Sequence, residues 1–166
     1  VTATITGWSP FVPGDADSSS LPVCALEISI ENTSPEPLRG TYSFHAENFL
    51  APKRDRSRIE GIPNGFLFRD TGSTEAPWEK AALAVWVPEE SVSVNCAWFR
   101  GGWFDPATMV WKTVASGGAV SAPPHDGADP GAGASLYVPL EIAAGETVSF
   151  RLHFAWFVPA SNLNVG

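Results

Sequence analysis

The chain's strongest secondary-structure signal is the stretch ETVSFRLHFAWFV, residues 146–158. Apolar side chains alternate along it with polar or small ones, and the apolar set is Val148, Phe150, Leu152, Phe154 and Trp156. Successive side chains point to opposite faces of a β-strand, so a period of two predicts one buried and one exposed face. We therefore expect a long strand over Glu146–Val158, with Trp156 in the core.

Similar alternation predicts six further strands upstream. They are Leu26–Ile30, Thr41–Glu47, Phe66–Arg69, Ala81–Val87, Ser91–Trp98 and Ala134–Ile142. Turn formers at 32–37 predict that the first two of these strands form a hairpin, and those at 88–90 predict a second hairpin from the fourth and fifth. Val1 already lies inside a strand-like pattern, so we also expect a segment upstream of it.

Only one segment has a helical pattern. Asp105 can cap its start and Pro106 suits the first helical position, which predicts a short helix near 105–115. Seven or eight strands with turns between them indicate an all-β fold, an antiparallel two-sheet β-sandwich with that one helix.

Length and charge narrow the class of protein. The chain has 166 residues, the size of one domain, so a single domain is expected over 1–166. Its 18 acidic and 10 basic residues give a formal charge of −8, which argues against binding to nucleic acid or anionic membranes. No apolar run is long enough for a membrane span. We expect a cytoplasmic protein, with secretion as the alternative.

Cysteine and histidine give no metal or cofactor signature. Cys24 and Cys96 both lie on apolar faces of predicted strands, where they could form a disulfide between the sheets or remain two free buried thiols. The histidines at 45, 125 and 153 lack zinc-site spacing. Asp15 and Asp17 resemble the start of a calcium loop, but position 20 is Ser where that loop needs Gly, so a hydrogen-bonded turn is expected. No metal and no cofactor are predicted.

No catalytic set is predicted either. No serine lies in a G-x-S-x-G elbow, and His45 and His153 lie on the polar sides of their strands. Paired carboxylates can be recognised only by their separation in space. Whether the chain is an enzyme is therefore left open by its residues.

The seven tryptophans are the remaining candidates for a binding site. Trp98 and Trp156 follow the apolar sides of their strands and are expected in the core. The other five, which include Trp86, have no such clear parity. Four of them are candidates for stacking on sugar rings: Trp8, Trp78, Trp103 and Trp111. A seam between domains would use exposed aromatic residues equally well.

Several stretches together resemble one protein family. They are WSPFVP at 8–13, DSSSLPV at 17–23, EISIENTS at 27–34, EPL at 36–38 and EN at 47–48, followed by AAGET at 143–147 and FAWFVP at 154–159. In these stretches the chain resembles the N-terminal domain of the glycoside hydrolase family 116 β-glucosidases, the family of the non-lysosomal glucosylceramidase. The region from about 52 to 133 resembles the family only weakly.

The resemblance implies a β-sandwich followed by an (α/α)6 barrel that holds the catalytic carboxylates, none of which has a position in this sequence. It implies a non-catalytic accessory domain that supports the hydrolysis of β-glucosides. We expect a structured loop at the domain seam, formed by Ser9, Pro10, Phe11, Asp17, Ser19, Leu21 and Pro22. The alternatives are a stand-alone carbohydrate-binding module and a structural domain that self-associates through an unpaired edge strand.

Overall fold

The computed structural model describes residues 1–50, 56–88, 91–100, 102–103, 105–127 and 131–163. These residues contain nine strands and two short α-helices. The strands are β1 (Thr2–Trp8), β2 (Val23–Glu31), β3 (Leu38–Glu47), β4 (Ser57–Ile62), β5 (Gly65–Asp70), β6 (Ala81–Trp86), β7 (Ser93–Asn95), β8 (Gly133–Ile142) and β9 (Thr147–Phe157). The helices are α1 (Ala16–Ser19) and α2 (Pro106–Ala115), and Pro77–Glu79 forms a 3-10 turn.

The strands make two antiparallel sheets of unequal size. The large sheet has the order β1-β2-β9-β6-β5-β4, and the small sheet has the order β3-β8-β7. The predicted two-sheet sandwich is confirmed, as are the long strand at β9 and the capped helix at α2. β4 is a strand that the sequence analysis did not predict.

The core lies between the inner faces of the two sheets. Ile28, Phe150 and Leu152 of the large sheet and Leu136 and Val138 of the small sheet are buried there. Aromatic contacts also join the sheets, with Tyr42 edge-on to Phe150 at 5.1 Å between ring centroids and Phe44 edge-on to Phe154 at 5.5 Å. Such pairs add to the free energy gained from burying their area.

Both predicted hairpins are wrong. β2 pairs with β1 and β9, whereas β3 pairs with β8; β6 pairs with β5 and β9, whereas β7 pairs with β8. In each case the connection crosses from one sheet to the other. The strands that it joins bury their apolar faces against the opposite sheet instead of exchanging hydrogen bonds with each other.

Asn32 holds the first of these crossings in place. Its side chain is fully buried, and its Nδ2 donates to the carbonyl oxygens of Glu36 (2.8 Å), Ile142 (3.1 Å) and Ala143 (3.1 Å). Its Oδ1 accepts from Ser34 N (3.1 Å) and Ser34 Oγ (2.7 Å). One amide therefore joins the crossing from β2 to β3 with the crossing from β8 to β9.

Replacing this amide tests its role. We expect Asn32→Ala to lower the free energy of unfolding by about 3 kcal/mol, because several buried backbone groups lose their partner. Guanidinium titration at 25 °C measures the change. Glu36→Ala is the control, since its exposed side chain leaves the backbone carbonyl in place, and it should cost less than about 0.5 kcal/mol. Equal effects of the two substitutions would contradict the assignment.

Candidate functional site

Large apolar side chains are exposed at one end of the large sheet, where β1 and β9 end and β2 and β6 begin. The register brings these strand ends together, because Val23 of β2 lies opposite Ala155 of β9, and Phe157 of β9 lies opposite Ala82 of β6. We call this surface the aromatic end, and its exposed members are Trp8, Phe11, Val12, Leu21, Trp78, Trp156, Phe157 and Val158. Apolar surface collected in this way is typical of an interaction site.

The segment 9–22, which joins β1 to β2, is folded by its own hydrogen bonds. Asp15 caps α1, since its Oδ1 accepts from Ser18 N (3.0 Å) and its Oδ2 from Ser18 Oγ (2.7 Å). These bonds hold the pKa of Asp15 below its usual value. Ser19 Oγ accepts from Val12 N and donates to Val12 O, both at 3.0 Å. The turn that the sequence predicted around Asp15 is thus a helix cap.

The structure places the seven predicted seam residues on or beside this surface. Ser9, Phe11, Asp17, Leu21 and Pro22 are exposed, and Pro10 and Ser19 are half-buried. The carbonyl of Pro22 accepts a hydrogen bond from Trp156 N at 3.0 Å, which fixes the end of the segment to β9. The segment therefore presents Phe11 and Leu21 to solvent from a fixed backbone.

The four predicted stacking tryptophans do not form one site. Trp8 and Trp78 belong to the aromatic end, whereas Trp111 lies on α2, which packs against the small sheet. Trp103 is 94% exposed and precedes the same helix. The fold therefore does not bring these four side chains together in a single sugar-binding platform.

The sequence analysis missed the contribution of the last residues of β9 to this surface. Trp156 follows the core parity as predicted, but it is 44% exposed, because the small sheet does not cover this end of β9. The expectation that it belongs to the core is therefore wrong. The run Phe154–Val158 has no polar residue to alternate with, and this was the available sign that both faces of the strand are apolar here.

A second group of aromatic side chains lies on the outer face of the large sheet, in the same cross-strand row as Trp8. Trp8, Ala25, His153 and Trp86 occupy successive strands in one cross-strand row, and the rings of Trp86 and His153 stack with centroids 5.2 Å apart. Burial, and secondarily the charge of Arg151, lowers the pKa of His153. The imidazole is therefore a neutral stacking partner near pH 7.

Several carboxylates among the described residues have structural partners. Asp105 caps α2, and its bonds to Thr108 lower its pKa, as those to Ser18 do for Asp15. Three glutamates pair with arginines across neighbouring strands. The half-buried Glu27 pairs with Arg151, the half-buried Glu60 with Arg69, and the exposed Glu141 with Arg39. A general acid in a glycosidase needs a raised pKa, whereas the pKa values of Asp15 and Asp105 are lowered.

The two cysteines are free thiols. Cys24 is half-buried on β2 and Cys96 is buried just after β7, and burial raises the pKa of Cys96 to about 11. Within the described ranges, no three His, Cys, Asp or Glu side chains lie together in a way that could hold a metal ion. None of the described helices is long and apolar enough to cross a membrane.

The fold defines a class of protein: an all-β domain built as a two-sheet sandwich. Comparison with protein families then gives the family. The model of the N-terminal domain of glycoside hydrolase family 116, described as beta-glucosidase 2, matches residues 1–166. The chain belongs to this family, which confirms the resemblance and extends it through the weakly similar middle region. A search of curated proteins finds no match to this chain.

The state of the cysteines predicts their reactivity. With a pKa of about 11, Cys96 has about 100-fold less thiolate at pH 8 than a thiol at the ordinary value of 9.0. In a Cys24→Ser variant, we expect Cys96 to react with a disulfide reagent at least that much more slowly in the folded protein than in guanidinium. The unmodified chain, unfolded without reductant, should titrate two thiols per chain. A titre of zero would show a disulfide and contradict the structure.

Proposed function

We propose that this chain is a non-catalytic accessory domain that packs, through the aromatic end, against the catalytic domain of its own β-glucosidase polypeptide. The observation that carries the proposal is the aromatic end itself. A soluble protein gains free energy by removing such a surface from water, at roughly 25 cal/mol for each Å² of apolar area. The substrate that we propose for the polypeptide is a β-glucoside, with a glucosylceramide as one candidate.

The course of the chain favours the catalytic domain as the partner at this surface. β9 ends at Phe157, and Val158 continues from it, so the backbone leaves the sandwich within the aromatic end. The matching family model describes an N-terminal domain. A domain that follows on the same polypeptide would start beside this surface, where its effective concentration is high.

The rim of the aromatic end supports a protein partner. Lys80 Nζ lies 5.9 Å from the centroid of the Phe157 ring, and the exposed Asp15 and Asp17 lie in the segment that carries Phe11. Protein interfaces commonly combine an apolar centre rich in aromatic residues with a polar and charged rim. The rigid backbone of the segment 9–22 also reduces the entropy lost on docking.

The proposed interface can be tested in the whole polypeptide. Phe11 and Trp111 are equally exposed, both at 68%, but only Phe11 belongs to the aromatic end. We expect Phe11→Asp to weaken the packing of the two domains by about 2 kcal/mol, because a buried ring is replaced by a charge. The measurement is the temperature at which β-glucosidase activity is lost irreversibly. It should fall for Phe11→Asp and stay unchanged for Trp111→Asp.

Two controls complete this test. In the isolated chain, Phe11→Asp should leave the unfolding midpoint unchanged, because the side chain is exposed there. If both substitutions lower the stability of the whole polypeptide equally, the aromatic end is not the interface.

The non-catalytic role has its own assay. The isolated chain should hydrolyse an aryl β-glucoside no faster than buffer does. A rate that disappears when one carboxylate is replaced would overturn the proposal. Saturable quenching of tryptophan fluorescence by glucosides would favour a carbohydrate-binding module, and a mass that rises with concentration in light scattering would favour self-association through β1.

A further inference from the structure

A separate cleft lies between α2 and the outer face of the small sheet, and its volume is about 150 Å³. The sheet contributes Tyr137 of β8 and Asn95 of β7, and Trp98 and Phe99 follow β7. The helix contributes Met109, Val110 and Thr113, whose spacing of three and four residues places them on one face. We call this feature the α2 cleft. The proposed function does not use it.

The wall formed by Trp98 is fixed in place. Its Nε1 donates to Ser135 Oγ at 2.8 Å, and its ring lies over Gly133, where an added Cβ would come within 2.6 Å of the ring carbons. Ser135 Oγ also lies 2.8 Å from His45 Nδ1, so the polar edge of the indole is fully used within a buried network. Trp98 therefore offers the cleft an apolar ring and no donor.

Two polar side chains of the cleft are buried without full use of their hydrogen-bonding groups. Asn95 is 8% exposed, and its Oδ1 accepts from Ala97 N at 2.9 Å, but its Nδ2 has no partner among the described residues. Tyr137 is 2% exposed, and its hydroxyl makes no hydrogen bond within the described part of the chain. Among the described residues, the buried side-chain atom without a hydrogen-bond partner is Asn48 Oδ1. The free groups of Asn95 and Tyr137 are therefore accessible from the cleft, where a bound molecule can pair with them in place of water.

The lining of the cleft defines the chemistry of that molecule. None of the described residues that line the cleft is charged, which favours an uncharged ligand. A half-open cleft of about 150 Å³ with a largely apolar lining is large enough for one benzene ring. A sugar ring has about five oxygen substituents and would leave several of them unpaired against Trp98, Phe99, Met109 and Val110. An aromatic ring with one hydroxyl group matches the few polar groups present.

From this match we infer that the α2 cleft binds an uncharged aromatic alcohol of phenol size. The ring packs between the aromatic wall and Met109 and Val110, and the oxygen receives hydrogen bonds from the Tyr137 hydroxyl and the Asn95 amide. A ligand with about eight non-hydrogen atoms in such a site should bind with a dissociation constant of about 1 mM.

Fluorine NMR of 4-fluorophenol with the whole chain tests the inference. We expect saturable broadening of the ligand signal, and at least about a tenfold loss of affinity in Val110→Phe, which fills the cleft. Met109→Phe serves the same purpose if Val110→Phe does not fold, as judged by circular dichroism. Trp111→Leu, on the exposed side of the same helix, is the matched control and should bind as the unmodified chain does.

A second comparison isolates the hydrogen bond from the packing. Tyr137→Phe removes only the hydroxyl, so it should weaken binding of 4-fluorophenol by about 5- to 10-fold and leave binding of fluorobenzene unchanged. Three results would each overturn the inference: no broadening of 4-fluorophenol at 10 times the expected constant of about 1 mM, binding that Val110→Phe retains, or binding that Trp111→Leu abolishes. Saturable binding of methyl β-glucoside that Val110→Phe abolishes would overturn the chemical class.

Discussion

The buried amide of Asn32 is the constraint on which the two-sheet arrangement depends. It joins the crossing that leaves β2 to the crossing that enters β9, so the two neighbouring strands β2 and β9 are held in register at the same end. Backbone bonds in both directions reinforce this, because Asn32 N donates to Glu146 O and Gly145 N donates to Asn32 O, each at 2.9 Å. Strands β3 and β8 follow from these crossings and pair with each other in the opposite sheet. The sandwich is closed by one side chain that satisfies backbone groups from two connections.

The unequal size of the two sheets explains part of the exposed apolar surface. Three strands cannot cover six, so the small sheet leaves β1 and one end of β9 without an opposing layer. Ile5 and Trp156, which face the inner side of the large sheet, are exposed for this reason. The exposure of Trp156 within the aromatic end is therefore a consequence of the sheet topology, and a second domain is a physically natural way to complete the missing layer.

The periodicity of the sequence predicts the strands and the fold class but not the pairing. Alternation locates β2, β3, β8 and β9, because each has one buried and one exposed face. The turn residues at 32–37 indicate that the chain changes direction, but a hairpin and a crossing between sheets use the same residue types. Only the partners of Asn32 distinguish the two, and Ile142 and Ala143 lie more than a hundred positions away. β4 was missed because Arg58 and Glu60, on its outer face, belong to a segment dominated by charge.

The segment 9–22 and the α2 cleft also differ in how well the sequence predicts them, because one depends on local contacts and the other on contacts between distant residues. The segment 9–22 can be identified locally, because Asp15, Ser18 and Ser19 form their bonds within eight positions of one another. The α2 cleft cannot, because it depends on which strand lies beside β8 and on where the chain passes after Cys96. Trp98 illustrates the difference: its parity predicted a place between the sheets, whereas it is buried on the outer face of the small sheet, where it bonds to Ser135.

The segment 9–22 also indicates why an exposed apolar surface can be tolerated. Its order comes from the Asp15 cap and the paired bonds between Val12 and Ser19, and not from burial of Phe11 or Leu21. In the interface that we propose, the backbone would therefore need little rearrangement, and little conformational entropy would be lost on docking. A segment that obtained its shape only by burying Phe11 would collapse onto the sandwich in the free domain. The hydrogen bonds of Asp15, Val12 and Ser19 thus fix the backbone of the segment. Phe11 and Leu21 take no part in these bonds, and the fixed backbone keeps their side chains exposed.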